Sequence, residues 1–298
     1  MKPVLAELHQ IITKDGIPLE GLFFRPKKKS GIAAIWLGGL TSRFSKNPER
    51  TNILADIFTK NGIGFATFDH RGLGLINSLK VRNGKKEKYI AAGTAFEKFK
   101  HSVLDIEAIL SFLRKYGYKK IFLLGHSTGA NKAAHYIWKK GGRGLAGVGL
   151  LGPLSDIPGI KAGLGRKYSA ALKTAEKMVK KGKGKELIPF SLVNGAFWSA
   201  ERFWSIAREG SKEDTFPYYN QKRKFYWAER VRLPVFVVIG EKDQHADRSV
   251  KEILETLKKQ IPQKWFSGAI IKDADHGFSG KENILAVKLA SWVKGEKL

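Results

Sequence analysis

Continuous apolar segments alternate with segments of helical periodicity along most of the chain. An uninterrupted apolar run is typical of a strand buried on both faces, and a three-to-four-residue apolar repeat is typical of a helix. The alternation therefore predicts an α/β fold with a mostly parallel sheet and flanking helices. The predicted strands are Val4 to Ile12, Leu19 to Arg25, Ile32 to Leu37, Gly64 to Phe68, Ile121 to Leu124, Leu145 to Leu151, Val235 to Ile239 and Ala269 to Ile271.

The alternation stops between Pro153 and about Arg232, where helical segments replace the buried strands. We expect residues 153–232 to form a helical lid inserted into a core of residues 1–152 and 233–298. Most aromatic side chains of the lid should form its own core, and roughly a third should line the pocket. The aromatic residues of this segment include Phe197, Trp198, Phe203, Trp204, Tyr218, Tyr219, Phe225, Tyr226 and Trp227. Residues 76–92, which are rich in lysine, are expected to form a loop.

Three glycine-containing turns, around Gly38, Gly72 and Gly125, each follow a predicted strand. In parallel sheets the ligand binds at the carboxyl ends of the strands. These three turns are therefore expected to converge on one crevice.

The pentapeptide Gly125-His126-Ser127-Thr128-Gly129 lies between a predicted strand and a predicted helix. This is the setting of a nucleophile elbow, in which a sharp turn presents a serine hydroxyl. The flanking glycines leave room for so tight a turn. The Thr128 amide would then lie at a helix N-terminus, where it could stabilise an oxyanion. A glycine-rich loop with a helix-capping serine is the alternative interpretation.

Acyl transfer by serine also needs a base and a carboxylate that orients the base. Asp243 and His276 follow the last two predicted strands, which makes the chain order Ser127, Asp243, His276. Asp243 could instead cap the helix after it. Asp156 is the rival acid, and Asp247 is a weaker one.

The remaining histidines and nearby carboxylates have simpler interpretations. We expect His126 to point into the packing of the elbow, and His70 and His245 to lie on the surface near the rim. Asp273, Asp275 and His276 lack the geometry of a metal site. We therefore expect no metal here, and acyl transfer by serine needs no cofactor.

These motifs resemble those of the α/β-hydrolases over nearly the whole chain. The matching pieces are Gly38-Gly39-Leu40, Asp69-His70-Arg71-Gly72-Leu73-Gly74, the elbow pentapeptide, Gly240-Glu241-Lys242-Asp243 and Asp275-His276-Gly277. The resemblance implies Ser127 as nucleophile, His276 as base and Asp243 as the orienting acid. It also implies the amides of Leu40 and Thr128 as oxyanion donors. Many members have His-Gly where this chain has Gly38-Gly39, so the contacts of that histidine would be missing.

A closer likeness is to the family that contains the fungal siderophore-ester hydrolases. It is carried by Gly38 to Thr41, the elbow, Pro153 to Asp156 and Ser199 to Phe203. Those enzymes are intracellular esterases that cut ester links in hydroxamate iron carriers. The Gly-x-Thr turn is also similar to that of feruloyl-type esterases. That resemblance would imply an aryl ester as the substrate instead.

Composition narrows the class of protein. The 298-residue chain has no cysteine, which excludes disulfides, thiolate metal sites and a cysteine nucleophile. The segment Met1 to Leu8 lacks a signal-like apolar core, and no apolar run approaches the ~18 residues of a membrane span. We therefore expect a cytoplasmic protein.

The net charge of +27 could attract nucleic acid, an anionic membrane or acidic substrates, or could simply be a solvated lysine surface. We expect no nucleic-acid partner, because no zinc-finger or RNA-binding signature accompanies the charge. If the excess surrounds the lid, an anionic ester would be captured faster than a neutral one. The lid supplies the six closely spaced lysines Lys173, Lys177, Lys180, Lys181, Lys183 and Lys185.

The sequence thus predicts a serine carboxylesterase for a small ester. A non-catalytic protein of the same fold that binds a small ligand is the alternative. The oligomeric state is left open.

Overall fold

The computed structural model describes residues 4–28, 30–83 and 86–295, so the first three residues of the Met1 to Leu8 segment lie outside it. Its strands are β1 Glu7–Ile12, β2 Pro18–Phe24, β3 Ile32–Leu37, β4 Gly64–Phe68, β5 Asn77–Asn83, β6 Lys86–Ala92, β7 Lys120–His126, β8 Gly147–Leu151, β9 Val235–Gly240 and β10 Phe266–Ile271. Its helices are α1 Pro48–Lys60, α2 Ser102–Lys115, α3 Thr128–Lys140, α4 Asp156–Leu164, α5 Tyr168–Lys180, α6 Ala200–Ala207, α7 Val250–Gln260 and α8 Glu282–Lys294. In the part of the chain described, no helix is long and apolar enough to span a membrane.

Eight strands form one sheet in the order β1-β2-β4-β3-β7-β8-β9-β10. The β1–β2 and β2–β4 pairs are antiparallel, and the other pairs are parallel. The prediction of a mostly parallel sheet with flanking helices is therefore confirmed. Strands β4, β8 and β9 are buried along their whole length, as their continuous apolar sequences predict.

The sheet separates two hydrophobic clusters. Helices α2 and α3 pack with one cluster, and α1 and α8 pack with the other. In the centre of the sheet β3 pairs with β7, with Leu37 opposite Gly125. The turns that follow these two strands consequently begin side by side.

Residues 76–92 are not the loop that we expected. Strands β5 and β6 form an antiparallel two-stranded sheet separate from the main one. The side chain of Val81 is buried with Ile17 and Leu19, and Leu79 and Ile90 pack against them. Apolar residues at every second position thus face the core, and the lysines between them obscure this pattern in the sequence.

The predicted lid segment contains α4, α5 and α6, and none of its residues, all of which the structure describes, joins the main sheet. These helices share a small apolar cluster distinct from the two clusters of the sheet. It contains Ala171, Ala175, Ile188, Val193, Ala200, Phe203, Ile206 and Ala207.

Part of the segment belongs to the core of the sheet instead. Phe216, Tyr218, Phe225 and Trp227 are buried in the cluster on the α3 side. Trp227 also donates a hydrogen bond from Nε1 to the Thr215 carbonyl at 3.0 Å. The expectation that aromatic residues of the segment form the core of a lid therefore fails for these residues, because aromatic density does not specify which core receives the side chains.

This placement predicts that Trp227→Ala lowers the free energy of unfolding by about 3–5 kcal/mol, the usual cost of emptying a large core site. Phe197→Ala is the matched control in the same segment, because the Phe197 side chain is 37% exposed. It should cost less than about 1 kcal/mol. Urea denaturation measures both changes, and similar small losses would place Trp227 outside the core.

Candidate active site

The turn between β7 and α3 holds Ser127 in a strained backbone conformation, with φ 57° and ψ −130°. A Cβ on Gly125 would lie 2.4 Å from the carbonyl oxygen of Gly129. A Cβ on Gly129 would lie 2.1 Å from that of Leu37. Side chains are therefore excluded at both glycines. The Ser127 side chain makes no capping hydrogen bond to α3, so it is not the capping serine of the alternative interpretation.

The turn after β3 lies against Ser127. A Cβ on Gly39 would be 2.7 Å from the Ser127 Cβ, 3.0 Å from its Oγ and 3.2 Å from the Thr128 amide nitrogen. Leu40, the next residue, lines the same cavity as Ser127 and Thr128. Within the described residues, neither the Leu40 amide nor the Thr128 amide has a hydrogen-bond acceptor in the chain.

His276 and Asp243 meet at the ends of the neighbouring strands β9 and β10, where Ile271 lies opposite Gly240. The His276 Nδ1 lies 2.8 Å from the Asp243 Oδ2. The other carboxylate oxygen of Asp243 accepts a hydrogen bond from the His245 amide at 3.1 Å. Because the carboxylate occupies Nδ1, the second ring nitrogen of His276 is the one available to the cavity.

The rival acids have other partners. The Asp156 carboxylate accepts a hydrogen bond from the Asn131 side chain at 3.3 Å, and burial together with the charge of Glu213 raises the pKa of Asp156 to about 7. Asp247 is paired with Arg248 at 3.1 Å. The structure thus brings Asp243, and neither rival, into hydrogen-bond contact with the His276 ring.

Ser127, Thr128, Leu40 and His276 line one cavity of about 890 Å³. Its volume is typical of a site for a small molecule. Helix α4 forms one wall through Pro158, Gly159, Ile160 and Ala162. None of the nine aromatic residues named above lines the cavity, so the expected aromatic lining is wrong. None of the six lid lysines lines it either, and all six are exposed.

His70 is the clearest departure from the sequence-based expectation, because it is buried rather than on the surface. Its Nδ1 accepts a hydrogen bond from the Gly72 amide at 3.1 Å and lies 3.0 Å from the Lys132 Nζ. Two donors at Nδ1 leave the ring proton on Nε2, which donates to the Gly39 carbonyl at 3.0 Å. Burial and the charge of Lys132 lower the pKa of His70 to about 3, so the ring is neutral.

This hydrogen bond orients the peptide between Gly39 and Leu40. In a trans peptide the C=O and the N–H point in opposite directions, and the described chain has no cis peptide. The Gly39 carbonyl points towards buried His70. The Leu40 N–H must therefore point away from His70, and Leu40 is among the residues that line the cavity.

A buried group of charged side chains surrounds His70. Lys132 on α3 forms a 2.6 Å ion pair with Glu97, and Arg202 on α6 forms an ion pair with Glu213. Arg202 also lies 3.7 Å from Glu97. Burial alone would raise the pKa of Glu97, but the charge of Lys132 and its other cationic neighbours hold it at about 2. Two cations thus balance two carboxylates beneath the loop that carries Gly39.

His126 is buried in the packing of the elbow, as expected. Its ring stacks on Trp36 with centroids 5.4 Å apart, and its Nε2 donates to the His276 carbonyl at 2.7 Å. Burial and the charge of Arg50 lower its pKa well below the usual value. His245 is exposed, and its ring packs edge-on against His276. His126 thus braces the loop that carries His276.

The two carboxylates that precede His276 in the chain have partners of their own. Asp273 pairs with Lys242 at 2.7 Å, and Asp275 accepts a hydrogen bond from the Ser279 amide at 2.8 Å.

The comparisons with known proteins identify a family and a fold. The family model of DUF1749, described as a protein of unknown function, matches residues 84–294. That span includes Ser127, Asp243 and His276, but not the turn that carries Leu40. No curated protein sequence matches the chain.

Solved structures of similar fold cover nearly the whole chain. The siderophore hydrolase EstB from Aspergillus fumigatus has a TM-score of 0.70 at 17% identity, covering 98% of each chain. Est1E from Butyrivibrio proteoclasticus, solved with ferulic acid bound, has a TM-score of 0.66 at 15% identity, covering 97% of this chain and 99% of its own. The Pyrococcus furiosus esterase Pf2001 has a TM-score of 0.57 at 16% identity, covering 98% of this chain and 93% of its own. At these identities the likeness establishes the fold alone.

Proposed function

We propose that this chain, which belongs to the DUF1749 family and has the α/β-hydrolase fold, is a serine carboxylesterase. The observation that carries the proposal is the 2.8 Å contact between Asp243 and His276 beside the cavity lined by strained Ser127. A nucleophile, a base and an orienting acid are the groups that acyl transfer needs.

In the proposed reaction the Ser127 Oγ attacks the ester carbonyl while His276 Nε2 accepts the hydroxyl proton. Asp243 holds the proton on Nδ1, so that Nε2 is free to act as the base. His276 then protonates the leaving alcohol, and an acyl group remains on Ser127. Water, deprotonated by the same histidine, releases the acid and restores the serine hydroxyl.

The tetrahedral oxyanion would be stabilised by the amides of Leu40 and Thr128. Both lack an acceptor within the described chain, and Thr128 begins α3, where the helix dipole favours negative charge. We assign His70 as a positioning residue that orients the Leu40 amide through its hydrogen bond to Gly39.

The substrate is proposed to be a small ester. A siderophore-like or feruloyl-type ester is suggested by the likeness to EstB and Est1E, and an anionic ester by the basic side chains considered below. Residues 153–232 are proposed as the lid, supported by the separate apolar cluster of α4 to α6 and by the cavity wall that α4 forms. The cytoplasmic location stays a prediction.

The assignment of Ser127 predicts that Ser127→Ala lowers kcat on para-nitrophenyl butyrate by at least ~10³-fold, with the remaining rate supplied by the oxyanion donors. Unchanged thermal unfolding would show that the variant is folded. A fluorophosphonate probe should label Ser127 in the unaltered protein. Labelling of a different serine would overturn the assignment, and absence of both labelling and turnover would favour the non-catalytic binding protein.

The acid is tested by a matched pair of variants. Asp243→Asn should lower kcat by about 10³–10⁴-fold, because an amide favours the wrong histidine tautomer. Asp156→Asn removes a carboxylate from the same cavity, yet it should change kcat less than about 10-fold, since Asp156 does not bond to His276. The opposite order of the two losses would transfer the role to Asp156.

The positioning role of His70 predicts a loss in kcat rather than in KM. His70→Ala should lower kcat by about 10–100-fold, less than the roughly 10²–10³-fold cost of removing an oxyanion donor outright, while KM changes less than about 3-fold. His70→Gln keeps a side-chain N–H donor and should retain more of the rate. Titration of active sites with the phosphonate corrects for unfolded protein, and an unchanged kcat per titrated site would make His70 a structural residue only.

A further inference from the structure

Arg50 is a buried cation at the edge of the proposed active site. Its side chain extends from the first turn of α1, is only 9% exposed and lines the cavity that contains Ser127 and His276. The guanidinium lies 4.5 Å from the centre of the Trp36 ring. The one hydrogen bond that the guanidinium makes within the described residues, from Nη1 to the Gly277 carbonyl, is long at 3.5 Å.

The guanidinium lacks the partner that a buried charge normally has. It makes no ion pair with any carboxylate in the described part of the chain, and the more distant charge of Glu282 on α8 only raises its pKa. Burial lowers the pKa of Arg50 to about 10, which leaves it charged at neutral pH. A guanidinium has five N–H donors, and buried charges are normally paired. Most of these donors are therefore available to a group in the cavity.

Two further sources of positive potential meet at the same place. Asn47 caps α1 by accepting a hydrogen bond from the Arg50 amide at 3.0 Å. Because Asn47 and Arg50 both line the cavity, the positive end of this 13-residue helix lies at its edge. The exposed Lys46 also lines the cavity, with its Nζ 3.2 Å from the Thr41 hydroxyl. A helix N-terminus with an adjacent arginine and lysine is a favourable site for an anion.

The acidic side chains of the cavity do not neutralise the positive charges of Arg50 and Lys46. Asp156 bonds to Asn131 on α3, and α3 packs on the opposite face of the sheet from α1. Asp247 is paired with Arg248. Glu49, the acidic residue in the first turn of α1, is exposed.

We propose that Arg50 and Lys46 form a carboxylate-binding subsite, so that the ester this enzyme hydrolyses carries an anionic group. This inference rests on the proposed esterase function for the identity of the ligand. A carboxylate would bind the fork of Arg50 through two parallel hydrogen bonds, with Lys46 adding a more exposed charge.

The test is calorimetric binding of dicarboxylates and of the monocarboxylates of equal length. Succinate, adipate and suberate present one carboxylate to the Ser127 end and a second to Arg50, whereas butyrate, hexanoate and octanoate lack the second. At least one dicarboxylate should bind at least ~10-fold more tightly than its partner, the usual effect of a charge-assisted hydrogen bond.

Variants in α1 and just before it test which side chain causes the preference for the dicarboxylate. Arg50→Met keeps the apolar stem and should abolish the preference for the dicarboxylate, while Arg50→Lys should retain part of it. Lys60→Met removes an exposed charge from the far end of the same helix and should leave the preference intact. Lys46→Met should weaken the preference about 2–5-fold in low salt, and less at high salt because the side chain is exposed. This variant also keeps the test informative if Arg50→Met does not fold.

Equal binding of dicarboxylates and monocarboxylates at every length would overturn the subsite, as would a preference that persists in Arg50→Met. Calorimetry does not depend on turnover, so it can reject the carboxylate-binding subsite without rejecting the esterase function, and the reverse also holds. Hydrolysis that maps to Ser127 without a dicarboxylate preference would reject the subsite alone. A preference that depends on Arg50, in a protein whose Ser127 is inert, would reject the esterase alone.

Discussion

The close approach of two strand-end turns is the constraint on which the rest of the site depends. Strands β3 and β7 pair in the centre of the sheet, so the turns after them share one small volume. The carbonyl oxygen of Leu37 occupies the space that a side chain on Gly129 would need, and Ser127 occupies the space beside Gly39. The positive φ of Ser127 is maintained because neither turn can relax without displacing the other. The proposed nucleophile and the proposed oxyanion donors nearest to it are thus positioned by backbone packing rather than by flexible side chains.

The buried charges beneath this contact extend the same constraint to the helices. His70 joins the Gly39 carbonyl to Lys132 on α3, and Lys132 joins Glu97, which lies close to Arg202 on α6. Such a group contributes little net stability while it is complete, but removing one partner leaves an uncompensated buried charge at a cost of about 3–5 kcal/mol. We therefore interpret it as a device for specifying geometry. It connects the predicted lid, through α6, to the peptide that carries the Leu40 amide.

Local patterns were sufficient to predict most of the fold and the residues brought together at the cavity. Apolar runs define buried strands, and the turns at their carboxyl ends meet at one edge of the sheet. Ser127, Asp243 and His276 could therefore be named as candidates from their positions after strands together with the α/β-hydrolase resemblance, although the sequence left Asp156 open as the rival acid. The failures concern long-range packing. The burial of His70 depends on Lys132, which lies 62 positions away. Trp227 and its aromatic neighbours gave no local sign of which core they join. The sequence does not identify Arg50, because the pattern of apolar and polar positions in α1 does not indicate that the first turn of this helix lies at the cavity.

The composition suggests that surface lysines select for an anionic ester. The structure points instead to Arg50 in the cavity as the source of this selectivity. Basic residues outnumber acidic ones in the chain as a whole, and the six lid lysines named above are exposed. Such charges act from the surface, where salt screens their interactions beyond about 10 Å. Arg50 instead acts at contact distance in a partly desolvated site, where screening is weak and hydrogen-bond geometry matters. Selectivity that comes from Arg50 would therefore depend on the affinity of the bound ester, and not on the rate at which a charged ester diffuses to the site. The large positive charge of the surface and the chemical preference of the cavity are therefore physically separate properties of the molecule.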